Sequence, residues 1–549
     1  MGLLNRSLQP DKKVLATIYA VKSHIGMQDY TKALEYAEQG QRLLGDSDFS
    51  EKHVEILSLK VRTYRLTGDL SQALEIQERL TGLLEENNRT NAIGEALIVL
   101  AELNLESGRI LQAEEANRRA ESFVSKDTIN SIRLLANFAK ISRSRNKLRE
   151  SIQYYRQIKP LLDNSVPKQL QADVYYQEGF TNLQLSRFNN AMSSFQRAES
   201  LFSQLGQKKQ ANLSKLAQAN VLMKQGYIQR SEEVFQNVLT DSKDDTVLQA
   251  DIYGSLAFLY SELGLYVKAL DNSIKAERIF KQAGISSRIP EVLNARGLIF
   301  LGMNDFGQSE VLFLNALEEN KSHENPLLDS EITNNLGGLY KRRGELKKAR
   351  VQLIKSAELQ KQLGFESLLA LTFNNIGSVY LEEGKYAEAL DFLRQSRDYA
   401  LKFDLKKELA VSWNNEGILF FNQTKYSEAK QAFERALSLQ KELNLRVDIA
   451  RTLNNLSIIA ANEGDKIKAL DLVQEAIATL SLKELSDDDF YPNPPESSIL
   501  AFSLMKDFLQ NKGAFLREIA GETSEDDQKN QFLEASYLSF DLSITLVES

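Results

Sequence analysis

Nine asparagines recur in register in the second half of the chain, and their side chains suit a main-chain ligand. A carboxamide carries both hydrogen-bond donors and an acceptor, so a column of carboxamides can pair with successive backbone groups of a peptide. Asparagine is a poor residue for the middle of a helix, so a register of asparagines marks a place where function is expected. The alternative interpretation is that these amides tie neighbouring helices together. The first column contains Asn294, Asn334, Asn374, Asn414 and Asn454, and the second contains Asn335, Asn375, Asn415 and Asn455.

A second candidate is a basic group nearer the N-terminus. Its members are spaced so that they share one stripe of a helix. Such a stripe can bind an acidic peptide or a C-terminal carboxylate. The alternative interpretation is a solvated charged face without a ligand. The group consists of Arg133, Asn137, Lys140 and Arg143.

Both candidates lie within a repeat whose period is 40 residues, apart from two steps of 38. A position shortly after the asparagine pair holds a small residue in most repeats, for example Gly337, Gly377 and Gly417. Seven repeats also place glycine in the turn that follows. Twelve residues after the first small position lies a column that contains only alanine or serine. Small residues at two positions let a pair of antiparallel helices approach closely. The stricter column is Ala33, Ala73, Ala113, Ser151, Ala191, Ser231, Ala269, Ser309, Ala349, Ala389, Ala429 and Ala469.

The pattern resembles the tetratricopeptide repeat family. One repeat matches the family through Gly417, Phe420, Ala429, Phe433 and Ala436, and departs from it only at the turn, where Thr424 replaces glycine. The family's common period is about 34 residues. The longer period is similar to that of kinesin light chains, Pins-type adaptors and bacterial tetratricopeptide regulators.

The resemblance covers residues 11–480. It implies an all-α, tetratricopeptide-type α-solenoid, a right-handed superhelix of about twelve antiparallel helix pairs without a sheet. It also implies that the asparagine columns line a concave groove that holds an extended peptide.

Catalysis has little support in the sequence. There is no cysteine, which excludes thiolate metal sites and cysteine nucleophiles. His24, His53 and His323 fall in different repeats, so stacking keeps them from forming a metal site or a triad. No phosphate-binding or dinucleotide-binding glycine motif occurs. We therefore expect no enzyme activity, no metal and no cofactor.

Composition limits the partners. A net charge of −8 over 549 residues argues against nucleic acid. No apolar run approaches the roughly eighteen residues of a membrane span. The N-terminus lacks the apolar core of a signal peptide. We expect a protein or peptide partner, no nucleic acid and no membrane insertion. We also expect a cytoplasmic location, or a periplasmic or secreted one if a signal has been removed.

The period ends after Ala476, and we divide the chain into three parts. These are the repeats at 1–480, a proline-rich and acidic loop at 481–496, and a helical cap or connector at 497–549. Helical patterns in the last part predict helices at about 497–511, 514–520 and 528–547. The first is too apolar for a free surface helix, so we expect it to dock on the last repeat.

Three interpretations of function follow. The first is a scaffold or adaptor whose groove captures peptides or helices of partner proteins. The second is a sensor or regulator that controls an attached or associated effector, such as a caspase-like protease or a kinase. The third is an element that self-associates through its repeat ends, which an exposed apolar terminal face would favour.

Overall fold

The computed structural model of the protein describes residues 10–27, 29–45, 50–124, 127–225, 227–243, 245–322, 325–481, 483–486, 489–499 and 501–548. In this part of the chain the secondary structure is helical, and the sole β contact is an isolated antiparallel bridge between Ser481 and Ile499. The residues form two compact units, Met1–Val174 and Tyr175–Ser549.

The first unit contains four described helix pairs, and the helices of each pair contact each other. Their facing sides are apolar and form two buried clusters. The helices are α1 (Pro10–Gly26), α2 (Tyr30–Leu44), α3 (Glu51–Thr67), α4 (Leu70–Glu86), α5 (Thr90–Glu106), α6 (Ile110–Glu121), α7 (Thr128–Ser144) and α8 (Leu148–Ile158), followed by α9 (Lys168–Gln184), within which the unit boundary falls.

The second unit continues the alternation and ends with two longer helices. Its further helices are α10 (Phe188–Gln204), α11 (Lys208–Lys224), α12 (Ile228–Asp241), α13 (Thr246–Glu262), α14 (Tyr266–Gln282), α15 (Ile289–Gly302), α16 (Phe306–Asn320), α17 (Pro326–Arg342), α18 (Leu346–Gln362), α19 (Leu369–Glu382), α20 (Tyr386–Phe403), α21 (Lys406–Asn422), α22 (Tyr426–Glu442), α23 (Arg446–Asn462), α24 (Lys466–Leu480), α25 (Phe502–Glu522) and α26 (Asp526–Glu548).

The predicted fold class, an all-α array of tetratricopeptide-type helix pairs, is confirmed. The two 38-residue steps correspond to short second helices, since α6 has 12 residues and α12 has 14. No helix within the described ranges is long and apolar enough to cross a lipid bilayer.

The alanine–serine column explains how closely the helices pack. All twelve of its residues are completely buried, with 0 % of their surface exposed. Two of its serines also bond to the facing helix: Ser231 Oγ donates to the carbonyl of Ala219, and Ser309 Oγ donates to the carbonyl of Gly297, both at 2.8 Å. A larger side chain at this column would push the two helices apart.

Glycine at the first small position accommodates a large side chain from the paired helix. A Cβ at Gly417 would lie 2.7 Å from the ring of Phe433, and one at Gly179 would lie 2.5 Å from the ring of Phe195. Tyr176 and Phe180 pack edge-on against the Phe195 ring and restrict its movement. Glycine is therefore required at this position, because the large side chain of the paired helix leaves no room for a Cβ atom.

The turn within each repeat requires a left-handed backbone. Gly384 has φ 73°, and Thr424, which departs from the family's glycine, has φ 60°. Asn304 takes the same conformation in its repeat, with φ 61°. The turn geometry is thus kept where glycine is absent, at the steric cost that a β-branched residue carries in this region. Gly226, one of the seven turn glycines, lies outside the described residues.

Residues beyond the repeats pack on the last helix pair. The sequence predicts an interruption between helices at residues 512–513, but α25 continues unbroken through Gly513. A Cβ at Gly513 would lie 2.8 Å from the Phe540 ring, so glycine lets α26 approach rather than ending the helix. Leu500 and the side chain of Phe502, which the apolar pattern included, lie outside the described part of the structure.

A buried lysine holds the loop that precedes α25. Lys512 Nζ donates to the carbonyls of Tyr491 (2.5 Å) and Pro492 (3.1 Å) and to Asn493 Oδ1 (2.8 Å). Burial lowers the pKa of this lysine to about 7. The three donors of an ammonium group therefore meet three loop acceptors, which fixes the proline-rich segment against the cap.

Candidate functional site

The two asparagine columns pair with each other across neighbouring repeats. Each second-column Nδ2 donates to the Oδ1 of the first-column asparagine one repeat earlier. Asn511 of α25 donates in the same way to Asn454, at 2.9 Å. We call the surface formed by the asparagine-bearing sides of α15, α17, α19, α21 and α23 the ladder face. The distances are 3.0 Å for Asn335–Asn294, 3.2 Å for Asn375–Asn334, 3.0 Å for Asn415–Asn374 and 3.4 Å for Asn455–Asn414.

These bonds correspond to the interpretation in which amides tie neighbouring helices together. Each bond uses only the Nδ2 group of the second-column asparagine and only the Oδ1 atom of the first-column asparagine. Within the described residues, the first-column Nδ2 of Asn334 and Asn374 has no acceptor, and the second-column Oδ1 of Asn375 and Asn415 has no donor. Asn374 is 3 % exposed, whereas Asn375 and Asn415 are half-buried. Unused donors and acceptors therefore alternate along the ladder face.

Two basic residues beside the ladder are engaged within the protein. Arg342 donates to the carbonyl of Leu301 (2.8 Å) and to Asn304 Oδ1 (2.7 Å). These groups lie at the C-terminal end of α15, where the helix dipole favours a cation. Lys341 donates to Ser378 Oγ at 3.0 Å. Both side chains connect consecutive repeats.

A column of carboxylates that was not predicted from the sequence consists of Asp251, Glu291 and Glu331. Glu291 and Glu331 lie three residues before Asn294 and Asn334, so they share their side of the helix. Burial is the largest cause of the raised pKa of each of the three carboxyl groups. The available signal was the same 40-residue spacing that revealed the asparagines.

The basic group of the first unit belongs to a buried charge network. Arg133 Nη2 lies 3.0 Å from Glu102 Oε1, and Arg65 Nη1 lies 3.1 Å from Glu102 Oε2. Burial alone would raise the pKa of Glu102, but Arg133, Arg65 and Lys140 together lower it. Burial also lowers the pKa of Lys140. Glu102 therefore balances cations from the two repeats on either side of its own, with Arg65 on α3 and Arg133 and Lys140 on α7.

The other members of that group are also held within the chain. Asn137 is 1 % exposed, and its Nδ2 donates to the carbonyl of Ile98 at 3.4 Å. Arg143 has interactions of its own. The role of Arg133, Asn137, Lys140 and Arg143 in binding an acidic ligand stays a prediction, and the structure gives Arg133 a carboxylate partner already.

The charged clusters lack the geometry of a metal site in the part of the chain that the structure describes. Across the residues that the structure describes, no group of three or more histidine, aspartate or glutamate side chains could hold a metal ion. The ladder face is thus the arrangement with unused polar groups in a regular register.

Helix pairs with buried small columns and left-handed turns define a helical repeat protein of the tetratricopeptide type. Residues 329–402 and 408–481 match the tetratricopeptide repeat family. In these repeats the predicted resemblance to that family is confirmed. No curated protein sequence matches the chain.

Several solved structures resemble the fold. BtubC (BKLC) from P. vanneervenii is 21 % identical, with a TM-score of 0.33, over 44 % of this chain and 96 % of that one. A Rap protein complexed with Competence and Sporulation Factor is 12 % identical, with a TM-score of 0.47, over 70 % and 97 %. The apo quorum sensor NprR from B. thuringiensis is 15 % identical, with a TM-score of 0.46, over 64 % and 99 %.

Proposed function

We propose that the protein is a non-catalytic scaffold that binds an extended segment of a partner protein, or a free peptide, on the ladder face. The observation that carries this proposal is the alternation of unused Nδ2 donors and Oδ1 acceptors along α15 to α23. An extended peptide presents backbone carbonyls and N–H groups in alternation, so it supplies the complementary partners. The proposed partner is a protein or peptide and not a nucleic acid. The proposal includes no membrane insertion, and the proposed location is the cytoplasm.

Replacing Asn374 and Asn414 by alanine should weaken peptide binding at least tenfold. Each lost hydrogen bond to a buried peptide group costs about 1 kcal/mol. A random fifteen-residue peptide library displayed on phage, selected on the immobilised full chain, supplies the probes. Fluorescence anisotropy of a labelled selected peptide then gives the affinity.

Alanine also removes ladder acceptors, so a second pair of variants separates binding from stability. Asn374→Asp with Asn414→Asp keeps the Oδ1 acceptors for Asn415 and Asn455 but removes the unused N–H donors. This pair should lose affinity while the Oδ1 contacts of the ladder remain. Its melting temperature is measured alongside, because Asn374 is 3 % exposed and a charged carboxylate is costly to bury there. Asn315→Ala, at an exposed site on α16, is the control. Unchanged affinity in both double variants would place the binding site away from the ladder.

A regulatory role is the second candidate, because distant repeats of the second unit touch each other. Arg187 Nη2 lies 3.5 Å from Asp404 Oδ2, although 217 residues separate them (404 − 187). Both residues line a cavity of about 430 Å³ together with Lys406 and Asn444. Ile228 also packs against the apolar cluster of the last repeats. A ligand on the ladder face that changed the spacing of the intervening repeats would alter this contact.

Breaking the Arg187–Asp404 ion pair should change both the distance between these two repeats and the affinity for peptide. Spin labels at Asn189→Cys and Lys407→Cys report the distance cleanly, because the chain has no native cysteine. Arg187→Glu should lengthen it, and Arg187→Glu with Asp404→Lys should restore it. If a selected peptide leaves the distance unchanged and Arg187→Glu leaves affinity unchanged, this contact has no regulatory role.

Self-association through the repeat ends stays a prediction. The outer side of α26 leaves Leu533, Tyr537 and Ile544 exposed, at 42 %, 68 % and 59 %. This is the kind of apolar terminal face that the third interpretation requires.

A further inference from the structure

The ladder face, taken together with the equivalent side of α13, changes chemical character along its length. In the repeats of α13, α15 and α17, the residues at one equivalent position are Asp251, Glu291 and Glu331. In the next two repeats the same position holds Leu371, which is 44 % exposed, and the half-buried Val411. One column is thus acidic over three repeats and apolar over the following two.

The acidic part carries more negative charge than its neighbours balance. Arg288 is shared, with Nη2 at 2.9 Å from Asp251 and Nη1 at 3.3 Å from Glu291. Glu331 has no cation at ion-pair distance in the described part of the chain. Burial and the neighbouring carboxylate of Glu291 raise the pKa of Glu331. Asp251 and Glu291 therefore share one cation, and Glu331 has none among the described residues.

Independent polar groups beside these carboxylates are unsatisfied. Asn294 and Asn334 are both 9 % exposed, and each uses its Oδ1 as an acceptor in the ladder. Their Nδ2 groups have no acceptor within the described residues and are not enclosed by protein. Each lies one helical turn from Glu291 or Glu331, so the same surface offers N–H donors next to negative charge.

Space for a ligand is present at the same place. A Cβ at Gly254, three residues after Asp251, or at Gly338, close to Asn334, would have no heavy atom within 4 Å. Exposed Leu298, at 39 %, extends the apolar surface beside this space. The surface is therefore open at these two positions, and a bound segment can lie over them without displacing a side chain.

We propose that the segment bound on the ladder face carries lysine or arginine where it meets Asp251, Glu291 and Glu331, and apolar side chains where it meets Leu371 and Val411. The inference rests on the proposed function. It adds that the bound segment is positively charged at one end and that this end lies at α13 to α17. Cationic side chains supply the missing counter-ions, while the ligand's backbone carbonyls accept from Asn294 and Asn334.

Peptides selected from the fifteen-residue library should place lysine or arginine towards one end and leucine, isoleucine, valine or phenylalanine towards the other. Glu291→Gln with Glu331→Gln should weaken a selected peptide at least tenfold without lowering the melting temperature. Raising the sodium chloride concentration should weaken wild-type binding and have less effect on the double variant. Glu319→Gln with Glu358→Gln, at exposed sites on α16 and α18, is the matched control and should leave affinity unchanged.

The outcomes separate this inference from the proposed function. If selected peptides respond to Asn374→Ala with Asn414→Ala but lack basic residues, or ignore the glutamine pair, the charge inference is overturned and the proposed function stands. If no selected peptide responds to the asparagine variants, both fall.

Discussion

Ending the chain after residue 482 should cause aggregation or a marked fall in melting temperature. Val473, Ile477 and Leu480 of α24, each with 0 % of its surface accessible, belong to an apolar cluster that the cut would leave incomplete. These residues share one apolar cluster with Met505 and Phe508 of α25. Exposing a buried side chain of this size costs about 1.5–3 kcal/mol. The summed cost is therefore expected to exceed about 5 kcal/mol.

Size-exclusion chromatography with light scattering and thermal melts by circular dichroism measure this effect. The control is a full chain with a protease site placed within residues 483–486 and then cut. The loop that Lys512 holds stays attached to α25, so the nicked protein should keep its melting temperature. A truncated chain that is monomeric and equally stable would show that residues 497–549 are an appendage for a partner rather than a cap.

Helix pairing could be predicted from the sequence because its cause is local. Small residues at a fixed spacing, such as Ala429 with Gly417, have few uses other than close packing of two helices. The structure places Ala429 at 0 % exposure and leaves no room for a side chain at Gly417. A buried position that tolerates only small residues leaves its mark on every repeat, so the period and the pairs could be predicted together.

The sequence predicted that the asparagines share one surface, but it did not predict the hydrogen bonds between them. The register places Asn374 and Asn415 on equivalent sides of their helices, but their hydrogen bond depends on the offset between consecutive repeats. That offset is set by how helices pack, not by spacing along one chain. For the same reason the carboxylate column was overlooked, because Glu291 and Glu331 look like ordinary surface residues until the neighbouring repeat surrounds them.

The charge network of the first unit escaped prediction for a related reason. Arg133 looked like part of a free basic stripe because its helix carries Lys140 and Arg143. Its counter-ion, Glu102, lies 31 residues earlier on α5. Charge along one helix therefore says little about net charge on a stacked surface, where partners come from adjacent repeats.

Removing the carboxylate of Glu102 should be among the most destabilising single changes in the first unit. Glu102→Ala would leave Arg65, Arg133 and Lys140 without their common anion. Loss of one partner of a fully buried ion pair costs about 3–5 kcal/mol, and a value at or below the lower end of that range is expected here because the Glu102 and Arg133 side chains are 14 % and 20 % exposed. Denaturation midpoints in urea, followed by circular dichroism, give the change. The matched control is Glu95→Ala, since Glu95 lies 3.8 Å from Arg133 but its side chain is 64 % exposed, and an exposed pair contributes at most about 1 kcal/mol.

The same network predicts a dependence on pH. The cations hold the folded-state pKa of Glu102 below its ordinary value of 4.5. Folding therefore gains stability from this carboxylate above that value and loses it as the pH falls through the lower folded-state pKa. The stability difference between wild type and Glu102→Ala should be constant near neutral pH and shrink as the solution is acidified below 4.5. If Glu102→Ala cost no more than Glu95→Ala, or if the difference ignored acid, Glu102 would not be the anion that balances these repeats.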